Sequence, residues 1–169
     1  MFNDPICDAT SRKVDTQLRS DRRFGVEPRF GIVTPTFQRY RFLPKVFRQV
    51  RAQTYLHWAL VLVNDGPDPR ARRSFERHCG DEPRMHFIET PAATRDWGGT
   101  PRFAGVDFLA QLSPPLDYLL FWDDDNSYYP GALRIVEQEI QRHNTPDLLL
   151  MPLFTDLTQT PRPNLNLHQ

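Results

Sequence analysis

Three consecutive aspartates, Asp123, Asp124 and Asp125, close an apolar run in LLFWDDDNSYYPGAL, residues 119–133. Carboxylates about 4 Å apart repel by roughly 1 kcal/mol in water and about 4 kcal/mol near a protein surface. The cluster therefore needs solvent screening or a cation. Oxygen ligands suit hard divalent ions such as Mg²⁺, Mn²⁺ or Ca²⁺. Successive side chains of an extended strand point to opposite faces, so Asp123 and Asp125 are expected on one face and Asp124 on the other. Such a D-x-D pair holds one metal and leaves positions open for water and phosphate. The bland alternative is a solvated acidic turn ahead of a helix beginning at Pro130, where negative charge is also favoured. A second acidic tip, Asp65 in Asn64-Asp65-Gly66-Pro67, weighs towards the metal.

Two chemistries with similar spacing fit poorly. An EF-hand loop counted from Asp123 would have Tyr128 where it needs glycine and Arg134 where it needs glutamate. A phosphatase of the haloacid dehalogenase kind matches Asp123, Asp125 and Ser127. It also needs a downstream lysine, and the only lysines, Lys13 and Lys45, lie upstream.

The elements that must position these residues are legible from periodicity. FGIVT (30–34), WALVLV (58–63), RMHFIE (84–89), DYLLFW (117–122) and DLLLMPLF (147–154) read as strands, mostly apolar throughout. Leu43, Val46, Phe47 and Val50 recur at helical spacing. Residues 69–79 give a weaker helical pattern. Gly98 to Leu112 is helical, with Phe103, Val106, Leu109 and Ala110 expected on its apolar side; a last helix follows Pro130 with Leu133, Val136 and Ile140. Apolar strands alternating with helices predict an α/β fold, a mainly parallel sheet with helices on both faces. Ligands of such sheets sit beyond the C-terminal strand ends, here Pro35-Thr36-Phe37, Asn64-Asp65-Gly66, Thr90-Pro91 and the aspartate triplet.

Bulk properties set wider bounds. A chain of 169 residues accommodates one domain with a real core. Residues 1–51 carry 11 basic and 5 acidic side chains, against 10 and 16 in the remainder. No Lys/Arg block is dense enough for a nucleic-acid groove; Arg39, Arg41, Lys45, Arg48 and Arg51 read as the solvated face of a helix. No apolar run approaches a membrane span, and the N-terminus lacks a signal-type apolar region, so a cytoplasmic location is expected. Cys7 and Cys79 read as free thiols. The expected organisation is a polar arm at 1–27, an α/β domain at 28–154 and a polar tail at 155–169.

FGIVTPTFQRYRFLPKVFRQVRAQTYLHWALVLVNDG (30–66) resembles the opening of a family 2 glycosyltransferase with the GT-A, Rossmann-like fold. It shows an apolar strand, a P-T-F turn, a helix ending in A-Q-T-Y, a W-x-L strand and a D-G turn. TPRFAGVDFLA (100–110) is similar to the next helix of that family, and LLFWDDDNSYYPGAL to its D-x-D strand and following helix. The similarity runs over about residues 30–150 and implies that the domain at 28–154 is nucleotide-sugar-binding.

The resemblance implies transfer of a sugar from a UDP- or GDP-linked donor to a glycan or other hydroxyl acceptor, with Mn²⁺ or Mg²⁺ and inversion of the anomeric centre. It places Pro35, Thr36 and Phe37 around the nucleotide base, with Asp65 in contact with it. Arg102 falls near the diphosphate or base, with Arg95 a second candidate. Asp123 contacts ribose or sugar, Asp124 approaches the donor sugar, and Asp125, with Asp123, holds the metal. Two departures stand out: Phe103 replaces a common asparagine, and no catalytic base is recognisable after the motif helix, where only Asp147 and Asp156 are acidic. The acceptor half is expected from a protein partner or a second copy. The alternative is a truncated, non-catalytic module that binds the nucleotide sugar or is purely structural.

Overall fold

The computed structural model describes residues 29–112 and 114–149. Four strands, β1 (Phe30–Thr36), β2 (Trp58–Asn64), β3 (Met85–Glu89) and β4 (Tyr118–Phe121), form one sheet in the order β3-β2-β1-β4. Every pairing is parallel, with Phe30 opposite Trp58 and Tyr118, and Leu60 opposite Met85. The intervening helices are α1 (Leu43–Arg51), α2 (Pro69–Cys79), α3 (Gly99–Leu109) and α4 (Ala132–Arg142). The arm at 1–27, the tail at 155–169, Cys7 and most of the fifth strand candidate lie outside the described residues; 147–149 are irregular.

Strand alternation divides the core in two. Phe30, Ile32, Trp58, Leu60, Leu62 and Met85 face one side, where they pack with Leu43, Val46, Phe47 and Val50 of α1 and with α2 and α4. Val33, Ala59, Val61 and Val63 face the other, against Leu109 of α3. Both faces are thus covered, which explains why β1 and β2 are apolar at consecutive positions.

α3 buries only part of its expected side: Leu109 is buried and Val106 packs against the core, but Phe103 and Ala110 are exposed. Its buried residues are Pro101, Gly105 and Leu109, while Phe103 is 75% exposed. The reason is close approach: a Cβ on Gly105 would lie 2.5 Å from Val33 Cγ1 and 3.1 Å from Val63 Cγ2. Small residues therefore face the sheet. β4 also differs from expectation. It has four residues and lies at the sheet edge among the described residues, with Leu119 and Phe121 about half exposed.

The start of α4 is held from another element. Gly131 offers no side-chain cap. Instead the buried Gln53, just past α1, accepts from Leu133 N–H at 3.0 Å and donates to Tyr129 C=O at 2.9 Å. Thr54 N–H donates to Pro130 C=O at 2.8 Å. The Q-T pair thereby anchors the turn between the aspartates and α4, and satisfies a helix-terminal N–H that would otherwise be orphaned. Among the described residues no helix is long and apolar enough to cross a membrane. Cys79 is a buried free thiol whose pKa burial pushes up to about 12, so it is not a nucleophile at neutral pH.

Gln53→Leu strands Leu133 N–H and the Gln49 C=O, which accepts from Gln53 at 3.1 Å, while Tyr129 C=O keeps its bond from Ala132 N–H. It is expected to lower stability by about 2–3 kcal/mol in urea unfolding, and to weaken any ligand that depends on the acidic turn.

Candidate functional site

All four strand tips converge at one end of the sheet because all four strands are parallel. Thr36, the last residue of β1, joins two of these tips. Its C=O accepts from Asp65 N–H at 2.8 Å, and its hydroxyl donates to Asp124 Oδ2 at 2.7 Å. Asp65 and the aspartate triplet are therefore two hydrogen bonds apart across a single residue.

Asp65 is 5% exposed and anchors the loop after β3. Its Oδ1 accepts from Thr94 N–H at 2.8 Å and from the Thr94 hydroxyl at 3.0 Å, and its Oδ2 accepts from Arg95 N–H at 2.7 Å. Burial alone would raise its pKa; these bonds to the ionised form outweigh it and hold the carboxyl below its ordinary value. Gly66 turns the chain away at φ +83°, and a Cβ there would lie 2.7 Å from Ala93 N.

Beside this turn is a cavity of about 470 Å³ lined by Phe37, Asp65, Arg70, Arg73 and Arg95, with Asn64 also on its wall. Arg95 lies 5.6 Å over the Phe37 ring. The cavity thus combines an aromatic face, several guanidiniums and a buried carboxylate. Gln38, Arg95 and Trp97 all take left-handed backbone at φ 55°, 56° and 59°, an uncommon conformation for such residues. Pro35 is half-buried and packs near Gly98, whose added Cβ would lie 3.2 Å from it.

The aspartates do not alternate as an extended strand would place them. β4 ends at Phe121 and the chain enters a turn, so each carboxylate is directed separately. Asp123 Oδ1 pairs with Arg102 Nη2 of α3 at 2.6 Å. Asp124 is 4% exposed. Its Oδ1 lies 3.1 Å from Arg39 Nη1, and the same nitrogen lies 3.2 Å from Asp125 Oδ2. Burial pushes the Asp124 carboxyl above its ordinary pKa, partly offset by the Thr36 hydroxyl and by Arg39. The turn is braced by Trp122 stacked on Tyr128, ring centroids 4.0 Å apart.

Two participants were not assigned from the sequence. Arg39 is not on a solvated helix face; it precedes α1 and bridges two of the aspartates. Its position three residues beyond the strand-end Thr36 was the available signal. Trp97 is 96% exposed, and its C=O accepts from Arg102 Nη1 at 2.8 Å, tying that loop to Asp123. Among the described residues no group of three or more His, Cys, Asp or Glu is arranged to hold a metal. Asp123 and Asp125 nevertheless present carboxylates 46% and 55% exposed. Exposed carboxylate oxygens are the donor type Mg²⁺ takes, usually one or two carboxylates with water and phosphate completing its shell.

The family model described as "Glycosyl transferase family 2" matches residues 31–151. The chain belongs to glycosyl transferase family 2. Among solved structures it is similar to a crystal structure of S. aureus TarS, with 14% identity, TM-score 0.56, and coverage of 69% of this chain and 20% of that one. A structure of S. aureus TarS residues 1–349 gives 17% identity, TM-score 0.59, and coverage of 69% and 33%. At these identities the likeness establishes the fold alone, and the chain spans a third or less of those relatives' length. No curated protein matches the sequence. Within the family 2 framework, the matched segment runs from the start of β1 through α4 and so includes both acidic tips.

Because the folded pKa of Asp65 lies below the ordinary 3.8, its contribution to stability is present above that value and is lost as pH falls through the folded value. In urea unfolding from pH 7 to pH 3, wild type is expected to exceed Asp65→Asn most at neutral pH, with the gap narrowing at the acid end. A gap independent of pH would show that the carboxylate charge does not anchor the loop.

Proposed function

We propose that this chain is the donor-binding part of a glycosyltransferase, holding a nucleotide-diphosphate sugar across the two acidic tips with Mn²⁺ or Mg²⁺. The observation that carries this reading is the junction at Thr36, which sets an aromatic and arginine-lined cavity beside half-exposed carboxylates. The base occupies the cavity next to Phe37, with Pro35 and Thr36 forming the adjoining strand end. Its ring N–H donates to Asp65 Oδ2, which takes one hydrogen bond from Arg95 and retains acceptor capacity. UDP and GDP both offer such an N–H.

The diphosphate then runs towards Arg102 and the acidic turn, with Arg95 at its other end. Cleaving the bond from sugar to diphosphate builds negative charge on the leaving group, and fixed guanidiniums near it favour that change. A divalent metal on Asp125 and Asp123 would supply Lewis-acid neutralisation of the same charge. Asp124 serves from beneath: buried and bonded to Thr36, it fixes the turn that presents its neighbours. The acceptor hydroxyl attacks from the face opposite the leaving group, assisted by a carboxylate base, with inversion. That base and the acceptor contacts are assigned to a protein partner, a second copy or sequence beyond the described residues.

A non-catalytic nucleotide-sugar-binding module is the competing reading. In its favour, Asp65, Asp123, Asp124 and Asp125 are each engaged by arginine, threonine or backbone N–H, so none stands ready as a base.

Calorimetric titration of UDP and GDP, with and without Mn²⁺, tests the reading. At least one nucleotide is expected to bind roughly tenfold more tightly with Mn²⁺, a coupling of ordinary size, and Asp125→Asn is expected to remove that gain while leaving metal-free binding intact. Metal-dependent binding that survives Asp125→Asn contradicts the ligand assignment, and no binding of either nucleotide contradicts the donor site. Hydrolysis or transfer of the donor sugar separates enzyme from binding module.

A further inference from the structure

The acidic turn already holds a cation belonging to the chain. Arg39 Nη1 lies 3.1 Å from Asp124 Oδ1 and 3.2 Å from Asp125 Oδ2, so one guanidinium bridges two carboxylates. Its guanidinium carbon lies 5.2 Å from the ring centroid of Phe42, which is itself half exposed. The Arg39 side chain is 39% exposed, and so can leave without opening the core. The two carboxylates differ in what they keep when it leaves. Asp124 retains the Thr36 hydroxyl at 2.7 Å, whereas Asp125 has no other partner among the described residues.

We propose that Arg39 is a tethered counter-ion: it competes with the divalent cation for Asp125 and moves to the donor diphosphate when the cation takes its place. This inference rests on the donor-binding reading and adds to it a residue and an order of events. A guanidinium and a divalent ion cannot share the oxygens of Asp125 without strong repulsion at such distances. Once displaced, the guanidinium needs an anion, and its planar fork matches phosphate oxygens. The exchange conserves pairing. Before binding, Arg39 covers the aspartates; afterwards, metal covers Asp125 and Arg39 covers phosphate. Metal alone must therefore bind weakly, and metal and diphosphate must strengthen one another by the same factor.

Free Mn²⁺ followed by electron paramagnetic resonance gives a readout independent of turnover. The full chain is titrated with Mn²⁺ alone, then again with saturating UDP or GDP, as wild type, Arg39→Gln, Arg39→Lys and Asp125→Asn. Arg39→Gln is expected to bind Mn²⁺ alone roughly three- to tenfold more tightly than wild type, as removal of one nearby positive charge requires. Its gain from added nucleotide is expected to shrink by a similar factor. Arg39→Lys, which keeps the charge, should remain close to wild type and controls for folding. Unchanged or weaker Mn²⁺ binding by Arg39→Gln, together with binding that Asp125→Asn abolishes, overturns the counter-ion role and leaves the donor site standing. Absence of Mn²⁺ binding in every form, with or without nucleotide, overturns the metal assignment itself and this role with it.

Discussion

A buried carboxylate just past a short strand is the constraint on which the rest of the site depends. Asp124 is almost fully enclosed, and an enclosed carboxylate is tolerated only with partners. Its partners come from the loop before α1 and from the end of β1: Arg39 on one oxygen and the Thr36 hydroxyl on the other. Satisfying this one group fixes the aspartate turn against the centre of the sheet. Because Thr36 also receives Asp65 N–H, the same bond network sets the spacing between the two acidic tips. The distance a bound diphosphate would bridge is thus built into the core rather than left to a surface loop.

Electrostatics then distributes the remaining charge. Three adjacent aspartates would repel if they shared one environment. The fold separates them by giving each a different one. Asp123 turns to Arg102 on the far face of the sheet, Asp124 sinks to Thr36, and Asp125 stays at the surface with a shared claim on Arg39. This division comes from the sheet architecture. Arg102 stands on α3, which covers one face, while Arg39 precedes α1, which covers the other. The acidic turn lies between two cationic arms from opposite layers, which offset part of its negative charge.

Much of the scaffold was readable in the sequence because apolar periodicity reports burial directly. β1, β2 and the buried face of α1 emerge where expected, since consecutive apolar residues in a strand require cover on both sides. The inner face of α3 is legible only in part, at Val106 and Leu109, for a physical reason. Its buried contacts with the sheet are Pro101, Gly105 and Leu109, and a glycine so close to the sheet that an added Cβ would lie 2.5 Å from Val33 carries no hydrophobic signal. At the site, residue types pointed to the acidic tips, and the family resemblance named Asp65 and Arg102. Arg39 escaped because its partners lie more than eighty positions away, and helical spacing among its neighbours suggested a solvated face. Nor could the sequence show that strand alternation ends at Phe121: that depends on where the Trp122–Tyr128 stack pulls the chain into its turn.

The position of the aspartates beyond β4 dictates how they are held. β4 has four residues and pairs with β1 on one side only; among the described residues no strand covers its outer edge. Few ladder bonds from so short a strand reach the acidic turn. The molecule compensates with side chains from elsewhere: Gln53 and Thr54 grip the backbone at Tyr129, Pro130 and Leu133, Trp122 stacks on Tyr128, and Thr36 and Arg39 take Asp124. Most of these clamps lie near the end of β1 or the end of α1. The first third of the described fold thus builds the surface on which the last third presents its carboxylates, and it explains why the A-Q-T-Y segment, remote from any ligand chemistry, sits in a motif alongside residues that face the cleft.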